Sequence, residues 1–293
     1  MIVLGFGSLI ILGAARYLVK PMHDFTVATK RIAQGDFSVR LITKRKDEIG
    51  ILTNSINHMA RELGMLDKMR QDFVANVSHE IQSPLTSISG FSKALKNKTM
   101  DESSRQHYLS IIEQESERLS RLSESLLQLS SLQYEHHPFI PKPFRLDEQI
   151  RSVIIACEPL WTSKQLVLDV DLEETVIEAD EDQLSQVWLN LLSNSIKFSP
   201  EHVGIRIELQ VRRGFAVLKV SDNGIGIAEE ELDAIFEPFY KVDKSRDRGI
   251  HGSGLGLSIV KRIIDIHSGT IEVSSKIGNG TDMTVKLPLK QNV

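Results

Sequence analysis

Between Phe73 and Leu95 the chain repeats apolar residues at spacings of three and four: Val74, Val77, Ile81, Leu85, Ile88, Phe91 and Leu95. That is the stripe of a helix packed on partner helices. A short polar connection follows, Lys96-Asn-Lys-Thr-Met100, and Asp101 reads as the N-cap of a second helix. That helix runs to about Gln133, with Leu109, Ile112, Leu119, Leu122, Leu126 and Leu129 in its seam. Two helices joined by a short loop make an antiparallel hairpin. Each stripe is too broad for one partner, and a lone hairpin closes no core. A homodimer, with two hairpins forming a four-helix bundle, is the economical solution.

His79 lies nearly opposite the first stripe, beside the carboxylate of Glu80, and Ser83 shares its face one turn on. Pro84 cannot donate to the carbonyl of Glu80, so a bend is expected there. Taken alone, this face reads equally well as solvated surface or as a functional site.

The N-terminal run Met1 to Ala15 is apolar and small; Arg16, Tyr17, Leu18 and Val19 follow. With Arg16 snorkelling and Tyr17 at the interface, residues 1–19 read as a transmembrane helix. Arg16, Lys20, Lys30 and Arg31 place the bulk of the chain on the cytoplasmic side of the cell membrane. No basic leader precedes the run, which argues against a secretory signal. No sensor domain or earlier span is visible, so either the natural protein begins earlier or it senses within or near the membrane. Residues 20–66 hold two short amphipathic helices. Phe25, Ala28 and Ile32 face one way in the first, and Ile51, Leu52, Ile56, Met59 and Leu63 in the second. Pro21, Gly35-Asp-Phe37 and Asp47-Glu-Ile-Gly50, in that order after a membrane exit, resemble a HAMP domain, a signal-converting parallel coiled coil. The net charge of −4 and the lack of any strongly basic region argue against a nucleic acid partner. A single cysteine, Cys157, allows no disulfide within one chain and reads as a small buried residue.

Three prolines in six residues, Pro138, Pro141 and Pro143, make residues 136–143 a linker. The His136–His137 pair in it has no further metal ligands nearby. Beyond it, residues 144–293 alternate helices (146–160, 182–196, 255–267) with strands (166–170, 176–179, 205–211, 216–220, 270–274, 281–287). Adjacent strand pairs with helices between them predict an α/β sandwich, one mixed sheet under a helical layer.

Four clusters in this last part need a common explanation. Asn190, Asn194 and Lys197 share one helix face; two amide oxygens suit a hard cation such as magnesium, and the lysine suits phosphate. Asp222-Asn-Gly224-Ile-Gly226 ends a strand and sets an acceptor carboxylate beside glycines, which suits a purine edge pressed close to backbone. Phe236-Glu-Pro-Phe-Tyr240 is the third. Gly252-Ser-Gly254-Leu255-Gly256-Leu257 opens a helix, where backbone amides can approach phosphates, and Gly278-Asn-Gly-Thr281 is a further turn. No Gly-Lys-Ser/Thr closes any of these glycine runs, so they are not a Walker loop, and no strand precedes Gly252 as a dinucleotide fingerprint requires.

In this order the clusters closely resemble the ATP-binding domain of histidine kinases, within the GHKL superfamily that also holds Hsp90-like chaperones, MutL-like repair proteins and type II topoisomerases. The His79 helix, in residues 67–135, resembles the dimerisation and phosphoacceptor domain of the same kinases. The resemblance implies a multidomain, membrane-bound sensor histidine kinase of a two-component system, using ATP and magnesium and passing phosphate to a response regulator. On that resemblance His79 is the phosphoacceptor and Glu80 its orienting base. Asn194 and Asn190 hold the metal, Lys197 meets phosphate, Asp222 recognises adenine, and Tyr240 flanks it. Gly224, Gly226, Gly252, Gly254, Leu255, Gly256, Leu257 and Thr281 line the nucleotide loops. Residues 241–251 form a lid with Lys241, Lys244 and Arg246 as phosphate contacts. Ser83 departs from the Thr or Asn that stands at its position in members that also dephosphorylate their partner. Two rival functions have discriminating features. An ATPase or clamp of the chaperone type has no need of His79, and a non-catalytic scaffold would have lost Asn194, Asp222 or Gly254.

Overall fold

The computed structural model describes residues 13, 15–97, 99–133, 139–242 and 252–290. Most of the expected membrane span lies outside them, as do His136 and His137 of the linker and the lid residues Lys244 and Arg246. Among the described residues no helix is long and apolar enough to cross a membrane. The chain divides into two compact units, residues 1–79 and 80–293.

In the first unit a π-helical turn, Ala15–Val19, leads into α1 (Lys20–Ala33), which has Pro21 in its first turn, where a missing N–H is harmless. Gly35 ends it with φ of +87°, a left-handed turn that glycine adopts without strain. The connector then passes over α2 (Glu48–Ala94). Phe25, Ala28 and Ile32 pack with Val39, Ile56 and Ala60 to form the core of this unit. Asn57 fixes the connector's register, accepting from Leu41 N–H and donating to Leu41 O, both at 2.8 Å. Asp47 caps α2 by accepting from Gly50 N–H at 3.2 Å, and Arg45 pairs with that carboxylate at 2.6 Å. Arg45 also stacks over the Tyr17 ring at 3.8 Å and donates to Tyr17 O at 2.7 Å, which ties the π-helical turn to the start of α2.

The boundary expected at Leu66 does not interrupt the backbone, since α2 is a single helix of 47 residues. No proline stands near Leu66, and Gly64 alone does not break the run of good helix formers around it. Pro84 sits inside α2, buried, and the helix continues through it; flanking turns keep their own hydrogen bonds when one is lost.

In the second unit, α3 (Glu102–Gln133) follows the connection at residues 95–101, with Asp101 capping it through Ser104 N–H at 3.1 Å. Phe91 and Tyr108 pack with ring centroids 5.0 Å apart across the hairpin. Leu85 and Leu109 remain exposed in the single chain, an apolar surface with no cover of its own.

The α/β part holds β1 (Lys142–Arg145), α4 (Leu146–Ala156), α5 (Glu158–Ser163), β2 (Val167–Leu172), β3 (Val176–Ala179), α6 (Glu181–Phe198), β4 (Gly204–Arg212), β5 (Phe215–Asp222), α7 (Gly256–Ile266), β6 (Thr270–Lys276) and β7 (Gly280–Pro288). Five strands form one sheet in the order β2-β4-β5-β7-β6, with β2 parallel to β4 and the other pairs antiparallel. β1 and β3 make a separate antiparallel pair, so the end of the proline-rich linker is a strand rather than plain coil. Proline is tolerated there because a two-stranded ribbon has free edges. The helix expected over 146–160 breaks at Cys157, which is buried, ahead of Pro159 in the first turn of α5. Ile205, Ile207 and Leu209 of β4, Ala216, Leu218 and Val220 of β5, and Met283, Val285 and Leu287 of β7 alternate inward under α6 and α7. They form the core that fixes the site.

Candidate nucleotide and phosphoacceptor sites

The helix α6 starts where Asp180 accepts from Gln183 N–H at 3.1 Å, with Glu181 and Asp182 in its first turn favouring the helix dipole. Leu184, Val187, Trp188, Leu191, Leu192 and Ile196 are buried on the sheet. That leaves Asn190, Asn194 and Lys197 on the half-exposed face, at the three-and-four spacing seen in the sequence.

The glycine loop before α7 closes on this face. A β-carbon at Gly256 would lie 2.7 Å from Asn190 Oδ1, and one at Gly252 would lie 2.6 Å from Lys197 Nζ. Asn190 donates its amide N–H to Gln186 O at 2.9 Å, which turns its Oδ1 toward the loop. Gly254 has φ of +74°, and Phe239 N–H donates to its carbonyl at 2.9 Å, tying the Phe236–Tyr240 segment to the same loop. Burial holds the Lys197 ammonium below the usual lysine range, and the charge of Lys241 adds to this. Such an ammonium is stabilised by an incoming anion.

Asp222 is the last inward residue of β5 and is 8% exposed, so alternation itself buries it. Its Oδ1 accepts from Gly224 N–H at 2.9 Å and from Thr281 N–H at 3.1 Å, and Ser195 also bonds its carboxylate. Burial pushes its carboxyl above the usual range, and these hydrogen bonds only partly offset that. Gly280, at φ of +86°, faces the Asp222 carbonyl too closely for any β-carbon, and Gly226, at φ of +71°, does the same against Lys276 O. Tyr240 donates its hydroxyl to Glu231 at 3.1 Å, and Leu255 is fully buried at the start of α7. The site is thus an acceptor at the end of β5, two amides and a lysine on α6, and glycine backbone between them. The amide oxygens fit a hard cation, and the glycine cradle, which side chains would fill, fits phosphate.

On α2, His79 is exposed and Glu80 half-buried. Glu80 accepts from Arg118 of α3 at 2.9 Å and also pairs with Lys241. Arg118 leans on Glu115 at 3.6 Å, one turn back. Ser83 lines an open groove with Thr86, Ser87, Gly90, Phe91 and Tyr108. The sequence reading missed Arg118, because a basic residue on a polar helix face gives no hint of a partner 38 positions away. It also missed His267, which is fully buried. The His267 Nδ1 lies 2.8 Å from Ile263 O, its Nε2 accepts from Asp180 N–H at 3.2 Å, and Phe139 meets its ring edge-on at 4.9 Å.

A mixed sheet whose glycine loops close on one polar helix face, preceded by a helical hairpin bearing a His–Glu pair, defines a nucleotide-binding domain joined to a phosphoacceptor hairpin. Family comparison agrees, and the chain belongs to the sensor histidine kinases of bacterial two-component systems. Residues 13–65 match the HAMP domain, residues 69–135 the His Kinase A (phospho-acceptor) domain, and residues 179–291 the histidine kinase-, DNA gyrase B- and HSP90-like ATPase. The chain is 33% identical over 286 residues to the sensor histidine kinase YclK of Bacillus subtilis, covering 94% of this chain and 60% of that one. It is 34% identical over 288 residues to the heme sensor protein HssS of Staphylococcus aureus, covering 98% of this chain and 62% of the relative. It therefore spans only about three-fifths of the length of these relatives. Among solved structures, histidine kinase ThkA in complex with the response regulator protein TrrA aligns at a TM-score of 0.62 and 28% identity, over 76% of this chain and 64% of that one.

Proposed function

We propose that this chain phosphorylates its own His79 from ATP and passes the phosphoryl group to an aspartate of a response regulator, as a membrane-bound homodimer. The observation that supports this most is the closure of the Gly252–Gly256 loop onto Asn190 and Lys197, in a chain whose α2 presents His79 to solvent. A ring nitrogen of neutral His79 attacks the γ-phosphorus in line. The N–P bond forms as the bond to the β,γ-bridging oxygen breaks, and ADP leaves with that electron pair. Glu80 accepts the hydrogen bond of the other ring N–H and stabilises the imidazolium that develops. Lys197 balances charge on the phosphates. A magnesium ion, held by Asn190 and Asn194, would supply further neutralisation on the phosphate oxygens. Asp222 accepts from the adenine amino group, with Tyr240 alongside. Lys241, now on Glu80, would exchange that carboxylate for phosphate as the nucleotide enters, joined by Lys244 and Arg246. Ser83, in its groove, would position a water for hydrolysis of the regulator's aspartyl phosphate less firmly than threonine, because its rotamer is less restricted.

His79→Gln tests the assignment. Incubation with γ-labelled ATP is expected to leave the variant unlabelled while it binds ATP as the parent does. Acid-labile label that persists in the variant, or steady ATP hydrolysis with no phosphoprotein in the parent, contradicts it; the second result favours an ATPase or clamp.

A further inference from the structure

The carboxyl end of α6 is held by a residue that none of the nucleotide motifs contains. A helix leaves its last four carbonyls without partners inside it, and Pro200 bars α6 from continuing. Lys164 Nζ donates to three carbonyls there: Ile196 O at 2.8 Å, Lys197 O at 2.8 Å and Ser199 O at 2.9 Å. An ammonium has three N–H donors, so this cluster uses them all. The carbonyl it passes over is Phe198 O, which accepts from Ile225 N–H at 3.3 Å. Ile225 lies in the Asp222–Gly226 loop, and a β-carbon at the adjacent Gly224 would lie 2.8 Å from the same Phe198 O. The end of α6 is therefore shared between one cation and one loop of the nucleotide site.

Lys164 is itself fixed. It is the C-cap of α5, with its N–H on Thr162 O, and its carbonyl accepts from His202 N–H at 3.1 Å. The ammonium is half-buried, and no carboxylate pairs with it among the described ion pairs. Its charge instead meets the negative end of the α6 dipole. The residue whose carbonyl it takes, Lys197, is the one whose ammonium faces Gly252.

We infer that Lys164 is a positioning residue of the nucleotide site. By gathering the α6 carbonyls it holds Phe198 O where it anchors Ile225, and so sets the spacing between the Asp222 loop and Lys197. The inference rests on the reading of this site as one for ATP, but its structural half does not need the nucleotide.

The test uses the full chain with Lys164→Met, Lys164→Gln and Lys164→Arg. Amide exchange is followed in the nucleotide-free protein, and ATP dependence of autophosphorylation is measured in parallel. Without the clamp, exchange in the 223–227 segment is expected to quicken about tenfold in the Met and Gln variants, while the β5–β7 ladder at Leu218 and Val285 is unchanged. The KM for ATP should rise about tenfold with kcat at saturation within about twofold, and Arg should recover most of both. Unchanged exchange at 223–227 in a folded variant overturns the inference. So does uniform loss of protection across the sheet, or failure of both neutral variants to fold, since each makes Lys164 a general stabiliser only. A parent chain that binds no ATP would overturn the reading of the site, while exchange at 223–227 would still decide the clamp.

Discussion

Asp222→Asn separates recognition from folding. In the parent, Gly224 N–H and Thr281 N–H both point at Oδ1, at 2.9 and 3.1 Å. An asparagine in the same place has to keep its carbonyl oxygen there, because its NH2 group cannot accept from either donor. The NH2 is then forced into the Oδ2 position, where a donor replaces the acceptor that the adenine amino group needs. Losing a hydrogen bond to a charged acceptor costs about 1.5–3 kcal/mol, and a donor facing a donor puts this case in the upper half of that range. At about 1.4 kcal/mol per factor of ten, ATP affinity should fall roughly 40- to 140-fold. Stability moves the other way. The carboxyl is pushed up by burial, so at neutral pH its charge opposes folding, and a neutral amide removes that penalty. Calorimetric titration of the nucleotide with thermal unfolding of the same samples checks both. Unchanged affinity refutes the placement of adenine at Asp222. A steep fall in Tm along with affinity refutes the claim that the carboxylate serves recognition rather than the fold.

Other outcomes follow from the same geometry. Nucleotide affinity should fall on the acid side as Asp222 takes a proton above the usual carboxylate range, and on the alkaline side as Lys197 loses one below the usual lysine range. Titrations of ADP against pH should show both limbs, and Asp222→Asn should lack the acid one. Gly256→Ala sets a methyl 2.7 Å from Asn190 Oδ1, so it should weaken Mg-ATP binding about tenfold while Tm shifts little. Arg145, paired with buried Asp147 at 2.7 Å, holds that carboxyl down at about 2 from the ordinary 3.8. The stability it contributes is present above 3.8 and lost as pH falls toward 2, so Asp147→Asn should flatten the acid slope of Tm in that window.

How much could be read in the chain depended on how local each cause was. The face of α6 that carries Asn190, Asn194 and Lys197 follows from helical spacing, so it was legible; the burial of Asp222 needed the alternation of β5 carried two residues past Val220, where the expected strand ended. Gly254 and Gly280 were legible as turns, yet their closest neighbours, Phe239 and Asp222, are set by tertiary closure. The continuity of α2 past Leu66 was hidden because two apolar faces with different partners look like two helices. Lys164, Arg118 and His267 left no trace. Each acts on groups 32, 38 or 87 positions away, and spacing rules carry no information at that range. α2 runs on through Pro84, since one missing donor in a long helix is a local loss.

His79 is the proposed acceptor of the phosphoryl group. The most direct measurement is mass spectrometry of the protein after incubation with Mg-ATP, digested under alkaline conditions that preserve phosphohistidine. Phosphate is expected on the peptide spanning residues 73–88, at His79, and should disappear after brief acid treatment. Phosphate on any other residue, acid-stable phosphate, or an unmodified peptide beside accumulating ADP would contradict it.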